Sequence, residues 1–122
     1  MTAFPAIVLE AFRAKKEVEV ETSSERGTAH RVTIWIVVVD GVPYVRSVRG
    51  PKGRWFRELA ARPGAIHVGQ RRIPVRAGLV RDDLMNQRIS HAFQAKYDRP
   101  SASVAAMVRP EVLATTARLE PA

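Results

Sequence analysis

The polarity pattern changes period several times along the chain. From Pro5 to Lys15, Val8, Leu9, Ala11 and Phe12 recur at helical spacing, which predicts a short helix with proline in its first turn. Glu17 to Thr22 then alternates strictly between glutamate and valine or threonine, the period of a half-exposed strand with its acids on one face. A turn containing Gly27 leads to the strongest strand signal, His30 to Asp40 (HRVTIWIVVVD). Val32, Ile34, Ile36 and Val38 share one face; Thr33, Trp35, Val37 and Val39 share the other. Both faces are mostly apolar, so one can line a barrel interior while the other needs a cover. A homodimer interface is the economical cover.

Asp40-Gly41 marks a hairpin into Val42–Val48. Arg49-Gly-Pro-Lys-Gly53 reads as a rigid basic loop, and Arg54 to Ala61 as a helix pairing Trp55 with Leu59. Ala65–Val68 and Arg72–Val75 read as strands, with Pro74 suggesting a sheet edge. Asp82 and Asp83 open a helix running to about Tyr97, ended by Asp98-Arg-Pro100. Ser103–Val108 and Val112–Leu119 read as two closing strands. About seven strands and two or three short helices predict a mainly β (α+β) fold, a small antiparallel barrel. It forms a single domain over 1–122, with the N-terminal helix in 1–16 and the barrel in 17–119.

Composition narrows the function. The 122 residues include no cysteine, which excludes disulfides, thiol catalysis and cysteine metal sites. His30, His67 and His91 share no ligand spacing, so no metal is expected. No apolar run reaches the roughly 20 residues of a membrane span, and the N-terminus lacks a signal-peptide pattern. A cytoplasmic protein is expected.

The net charge of +8 is unevenly placed. Residues 1–40 hold five basic and six acidic groups, and residues 77–122 hold six and five. Residues 41–76 hold nine basic groups (Arg46, Arg49, Lys52, Arg54, Arg57, Arg62, Arg71, Arg72 and Arg76) against Glu58. The surplus therefore points to a local anion rather than a long polyanion. A Gly-flanked loop entering a helix offers backbone N–H groups and the positive end of the helix dipole. Arg46, Arg49, Lys52 and Arg54 surround that loop, Ser47 adds a hydroxyl, and Trp35, Tyr44 and Trp55 can wall a ring. A plain solvated basic turn beside core tryptophans is the competing reading. Asp82 and Asp83 read as helix-start residues, not paired catalytic carboxylates.

The succession Gly27-Thr-Ala-His-Arg-Val-Thr-Ile-Trp35, the Asp-Gly hairpin, Val45-Arg-Ser-Val-Arg-Gly50, Trp55-Phe-Arg-Glu-Leu59 and Arg62-Pro63 resembles the flavin-binding split β-barrel superfamily. That group includes pyridoxamine-phosphate-oxidase-like proteins and deazaflavin-dependent nitroreductases. The nearest resemblance is to a domain-of-unknown-function family within it, over roughly residues 17–119. The resemblance implies a split β-barrel homodimer holding FMN or a deazaflavin, and an oxidoreductase function. It assigns the cofactor phosphate to the Ser47, Arg49, Gly50 and Lys52 stretch and places Gly27 to Arg31 near the cofactor; with Thr33, Trp35, Arg46, Arg54 and Trp55, Arg31 and that stretch make up the expected cofactor-binding residues. It also lets Tyr97 and Arg99 close over a ligand. Three positions depart from the pattern: Pro51 replaces a glycine and lacks its N–H, and Glu58 and Arg62 replace asparagines. Glu58 is then expected to pair with Arg54 or Arg62. A cofactor-free dimeric barrel and a small basic nucleic-acid-binding module are the alternatives, nucleic acid being the less favoured partner.

Overall fold

The computed structural model describes residues 3–97 and 102–122. The Glu/Val alternation forms β1 (Val18–Ser23), with Val18 and Val20 buried and the glutamates half exposed. It is flanked by α1 (Ala6–Ala14), which seats Val8 and Phe12 in the core.

The long apolar stretch divides into β2 (Ala29–Ile34) and β3 (Val37–Val39) rather than forming one strand. The reason lies at Ile36. Its N–H donates to the Tyr97 hydroxyl at 3.2 Å, and its carbonyl accepts from Lys96 Nζ at 2.6 Å. Side chains from a later helix thus take the backbone groups that a strand partner would have used. The hairpin follows as expected, with φ of 52° at Asp40 and 76° at Gly41 joining β3 to β4 (Val42–Val45). Positive φ at both central residues is the turn geometry that suits strand twist.

A 3₁₀ turn at Gly50–Lys52 leads into α2 (Arg54–Ala61), followed by β5 (Gly64–Val68) and β6 (Arg71–Leu79). β6 lies between β5 and β7 (Ala117–Pro121), not at an edge. Pro74 is tolerated because its backbone faces the end of β7, where its carbonyl accepts from Ala122 N at 3.2 Å. α3 (Asp83–Lys96) starts as the aspartates predict: Asp82 caps it by accepting from Met85 N at 2.8 Å. Its expected ending at Asp98–Pro100 lies outside the described residues.

The last third corrects the sequence reading. Residues 103–107 belong to α4 (Ala102–Met107), Val108 turns out of it, α5 (Pro110–Leu113) follows, and only β7 is a strand. Val104 and Val108 suggested a strand, but Ala105, Ala106 and Met107 are stronger helix formers.

All seven strands form one antiparallel sheet, ordered β2-β1-β5-β6-β7-β4-β3. Its two edges, β2 and β3, are consecutive in the chain and separated only by Trp35 and Ile36. The sheet must therefore curl until its edges approach, which makes a split half-barrel. Inside it, Val20, Ile34, Ile36, Val45, Ile66 and Val75 pack with α1 and Trp55 and Leu59 of α2. The other face of 35–39 is covered within the chain: Val37 packs with Tyr44, Ile89, Phe93, Tyr97 and Met107. α3 and α4 supply the cover that the sequence reading sought in a second subunit.

Candidate functional site

A cleft of about 790 Å³ opens between β2, the segment after β4, the start of α2, and α4. Its walls include Thr33, Trp35, Arg46, Ser47, Arg49, Arg54 and Trp55, seven of the ten residues expected there. Arg31, Gly50 and Lys52 do not line it. Arg31 is exposed and pairs with Glu19 across β1 and β2. Gly50 is buried in the 3₁₀ turn at φ 75°, and Lys52 is exposed on that turn.

The turn holds itself together. Ser47 Oγ donates to the Gly50 carbonyl at 2.9 Å, Gly50 N–H returns to the Ser47 carbonyl at 2.9 Å, and Ser47 N–H donates to Thr115 Oγ1 at 2.9 Å. α2 then begins at Gly53 with no side-chain cap and no acid in its first turn. Its positive dipole end meets the cleft beside Arg49 and Arg54. Neither arginine makes a side-chain hydrogen bond or ion pair among the described residues.

Arg46 is placed differently. It is 2% exposed and turned into the interior, where Nε donates to Thr116 Oγ1, Nη1 to Ser90 Oγ and the Met107 carbonyl, and Nη2 to Asn86 O and Oδ1. Its guanidinium also lies 5.4 Å from the Phe93 ring. All five N–H donors of an arginine are thereby in use, and burial pushes its ionisation down to about 10.

The aromatic wall consists of Trp35 and Trp55. Trp35 is backed by Tyr97, whose ring lies parallel at a centroid distance of 3.9 Å. Tyr97 is itself buried, with its hydroxyl donating to the Lys16 carbonyl, so it is a support rather than a lid. Arg99 lies outside the described residues. Tyr44 packs in the second cluster, away from the cleft.

Glu58 pairs with neither Arg54 nor Arg62. It accepts from Thr22 Oγ1 at 2.7 Å and bonds His30 Nδ1 at 3.0 Å, while Arg62 donates to the Ser23 carbonyl. Burial raises the Glu58 carboxyl, but the Thr22 and His30 hydrogen bonds outweigh it and hold it below its ordinary value. Glu58 does not line the cleft, although its charge also interacts with Arg54, which does. His67 bonds Glu21, and no group of three or more potential metal ligands gathers among the described residues.

The sequence reading missed Ser103, Ala106 and Met107, which α4 brings to the cleft, and Glu17, its acidic residue. The Ala-Ala-Met run was the available signal for α4. The partners of Arg46 carried no local signal, since Asn86, Ser90 and Thr116 meet it only through the tertiary fold.

Curled sheet, helix-flanked turn and cleft define a split antiparallel half-barrel with a basic cleft at the start of α2. The chain belongs to the family described as uncharacterized protein conserved in bacteria (DUF2255), whose model matches residues 8–119. No curated protein matches the sequence. Among solved structures, the chain is similar to a putative pyridoxamine 5'-phosphate oxidase from Listeria innocua (TM-score 0.67, 14% identity, covering 94% of this chain and 90% of that one). It is also similar to an F420 reductase (TM-score 0.61, 16%, covering 98% and 96%). A third is an FAD-binding protein from Mesorhizobium loti (TM-score 0.56, 17%, covering 95% and 87%). At these identities the likeness is one of fold. No helix among the described residues is long and apolar enough to cross a membrane.

Proposed function

We propose that the cleft holds a flavin or deazaflavin through its phosphate-bearing tail, and that the protein is an oxidoreductase of the nitroreductase or pyridoxamine-phosphate-oxidase-like type. One observation carries the reading: Arg49 and Arg54, which make no side-chain hydrogen bond or ion pair among the described residues, flank the uncapped start of α2 in a cleft walled by Trp35 and Trp55. A volume near 790 Å³ lies within the usual range for cofactor pockets, roughly 300–1,000 Å³. The names of the structural neighbours, an F420 reductase and an FAD-binding protein among them, support the same class of ligand.

The residues fit such a group. Arg49 and Arg54 would take the phosphate as charged forks, and the first N–H groups of α2 would add neutral donors. Trp35 and Trp55 would flank the ring. A bound flavin-type group supplies the electron or hydride transfer, which explains how a chain without cysteine or a catalytic triad can serve redox chemistry. The protein's part is to bind, orient and exclude water.

Charged hydrogen bonds contribute roughly 1.5–3 kcal/mol each, so losing one costs about tenfold or more in affinity. Titration of the purified protein with FMN, FAD and an F420-type deazaflavin, followed by absorbance and thermal shift, tests the reading. At least one should saturate, and Arg49→Ala with Arg54→Ala should weaken it by more than tenfold without lowering the melting temperature of the ligand-free protein. Absence of saturable binding by all three rejects the proposal. The nucleic-acid alternative finds less support, because Arg49 and Arg54 converge on one cleft rather than forming a stripe along which a polyanion could track.

The same reading takes the protein as a homodimer. Its support is two half-exposed apolar side chains, Val48 at the cleft and Leu79 on β6. Sedimentation equilibrium reporting only monomer at micromolar concentration would overturn it.

A further inference from the structure

Arg46 is a buried cation with no counter-charge among the described residues. Its partners are two hydroxyls, two backbone carbonyls and one amide oxygen, all neutral. Burial is the cause that shifts its ionisation, with no carboxylate of the described residues beside it. Taking a charge out of water is costly even when its donors are satisfied, because neutral acceptors solvate it without cancelling it. The residue nonetheless sits in the wall of the cleft. With all five donors committed it has none left for a ligand, yet its field still reaches the cleft, where low-dielectric walls concentrate it.

We infer that Arg46 is a fixed cation whose counter-charge is the anionic group of the cleft's ligand, selecting for negative charge through its field while Arg49 and Arg54 supply the hydrogen bonds. The inference rests on the cleft being the ligand site proposed above. It makes Arg46 a specificity-determining residue for anionic ligands, and its network a device that fixes the position of that charge. Asn86 and Ser90 hold it from α3, the Met107 carbonyl from α4 and Thr116 from the residue before β7.

The test is to neutralise Arg46 without removing it. Ser90 is half-buried on α3, accepts from Nη1 at 2.8 Å and does not line the cleft. Ser90→Asp therefore gives the guanidinium a carboxylate partner, and Ser90→Asn is the uncharged control. Binding of FMN, of riboflavin (the same ring without phosphate) and of inorganic pyrophosphate is measured for each by calorimetry. A charge acting over several ångströms in a partly wet cleft is worth about five- to tenfold in affinity. Ser90→Asp should weaken FMN and pyrophosphate by that factor, leave riboflavin unchanged, and melt at or above the wild-type temperature. Ser90→Asn should bind as wild type does. Should Ser90→Asp fold poorly, Asn86→Asp offers the same charge at Nη2 and is read in the same way.

Affinities for FMN and pyrophosphate within twofold of wild type in a folded aspartate variant overturn the inference. Equal binding of riboflavin and FMN overturns it together with the phosphate-tail part of the flavin reading, and leaves only the flavin ring as the ligand. Binding of pyrophosphate but of no flavin or deazaflavin, with the loss in Ser90→Asp, supports it and removes the flavin reading. Binding of none of them, nor of an F420-type deazaflavin, removes both.

Discussion

At Gly53 there is no room for a side chain. A Cβ there would collide with Ser47 Oγ, the hydroxyl whose bond to Gly50 closes the turn before α2. Gly53→Ala should therefore displace that hydroxyl and cost about 1–2 kcal/mol, a lost hydrogen bond plus strain. In a Ser47→Ala background the obstructing atom is gone, so the same substitution should cost clearly less, and a urea-unfolding double-mutant cycle measures the difference. Additive effects would show that the two residues do not share the space. Gly64 is a harder case, because its Cβ would meet the backbone carbonyl of Glu21 in the adjoining strand. Gly64→Ala should cost more, roughly 2–4 kcal/mol, and no side-chain deletion should relieve it. Residue chemistry is also where the sequence was most and least informative. Seven of the ten expected site residues reach one cleft, because they lie on contiguous segments whose local structure was readable. The burial of Arg46 was not readable: an arginine in Val-Arg-Ser-Val looks the same whether its acceptors are water or Asn86, Ser90 and Thr116.

Among the elements, α1, β1, the hairpin, α2 and the start of α3 were legible, because each carries its own period and its own start or stop residue. The division of 29–39 was not, because its cause is 60 residues away in sequence. Lys96 donates to the carbonyls of Phe12 and Ile36, and Tyr97 bonds Ile36 and Lys16, so the end of α3 fastens both α1 and the break between β2 and β3. Burial, reinforced by the Lys16 ammonium, pushes Lys96 from 10.5 down to about 8. A neutral amine still has two N–H groups for its two carbonyls. Between pH 8 and 10.5 the unfolded chain holds a proton on Lys96 that the folded one has released, so stability rises with pH there. Burial, opposed by the Ile36 hydrogen bond, raises Tyr97 from 10.0 to about 12. Above pH 10 the folded chain keeps a proton that the unfolded chain loses, so stability falls again. Urea midpoints should therefore climb from pH 8 to near 10 and decline beyond it. Lys96→Met should flatten the climb while leaving the decline; a wild-type profile that falls steadily from pH 8 would contradict this account.

Across the whole molecule, the surplus charge of residues 41–76 is spread over distinct tasks. Arg46 is interior, Arg49 and Arg54 face the cleft, Arg62 ties the end of α2 to β1, and Arg72 ties β6 to β1. The sheet needs such ties because it is a single curled layer whose halves, β2-β1-β5 and β6-β7-β4-β3, meet at the β5–β6 pairing. Glu21 on β1 bridges that meeting line. It bonds His67 of β5 at 2.6 Å and receives Nε and Nη2 of Arg72 of β6 at 3.2 and 3.0 Å. The Arg72 hydrogen bonds first, then His67, hold its carboxyl down at about 2 against an ordinary 4.5. Its contribution is complete above pH 4.5 and is lost as pH falls from there towards 2, because the unfolded chain takes up the proton first. Glu21→Gln should be less stable than wild type at pH 7, with His67 and Arg72 left facing each other, and the gap should close by about pH 2. Denaturation midpoints at pH 7, 4, 3 and 2.5 decide it. Curves that stay parallel down to pH 2.5 would mean that the seam is held by backbone pairing alone, and that the acid face of β1 is only a solvated surface.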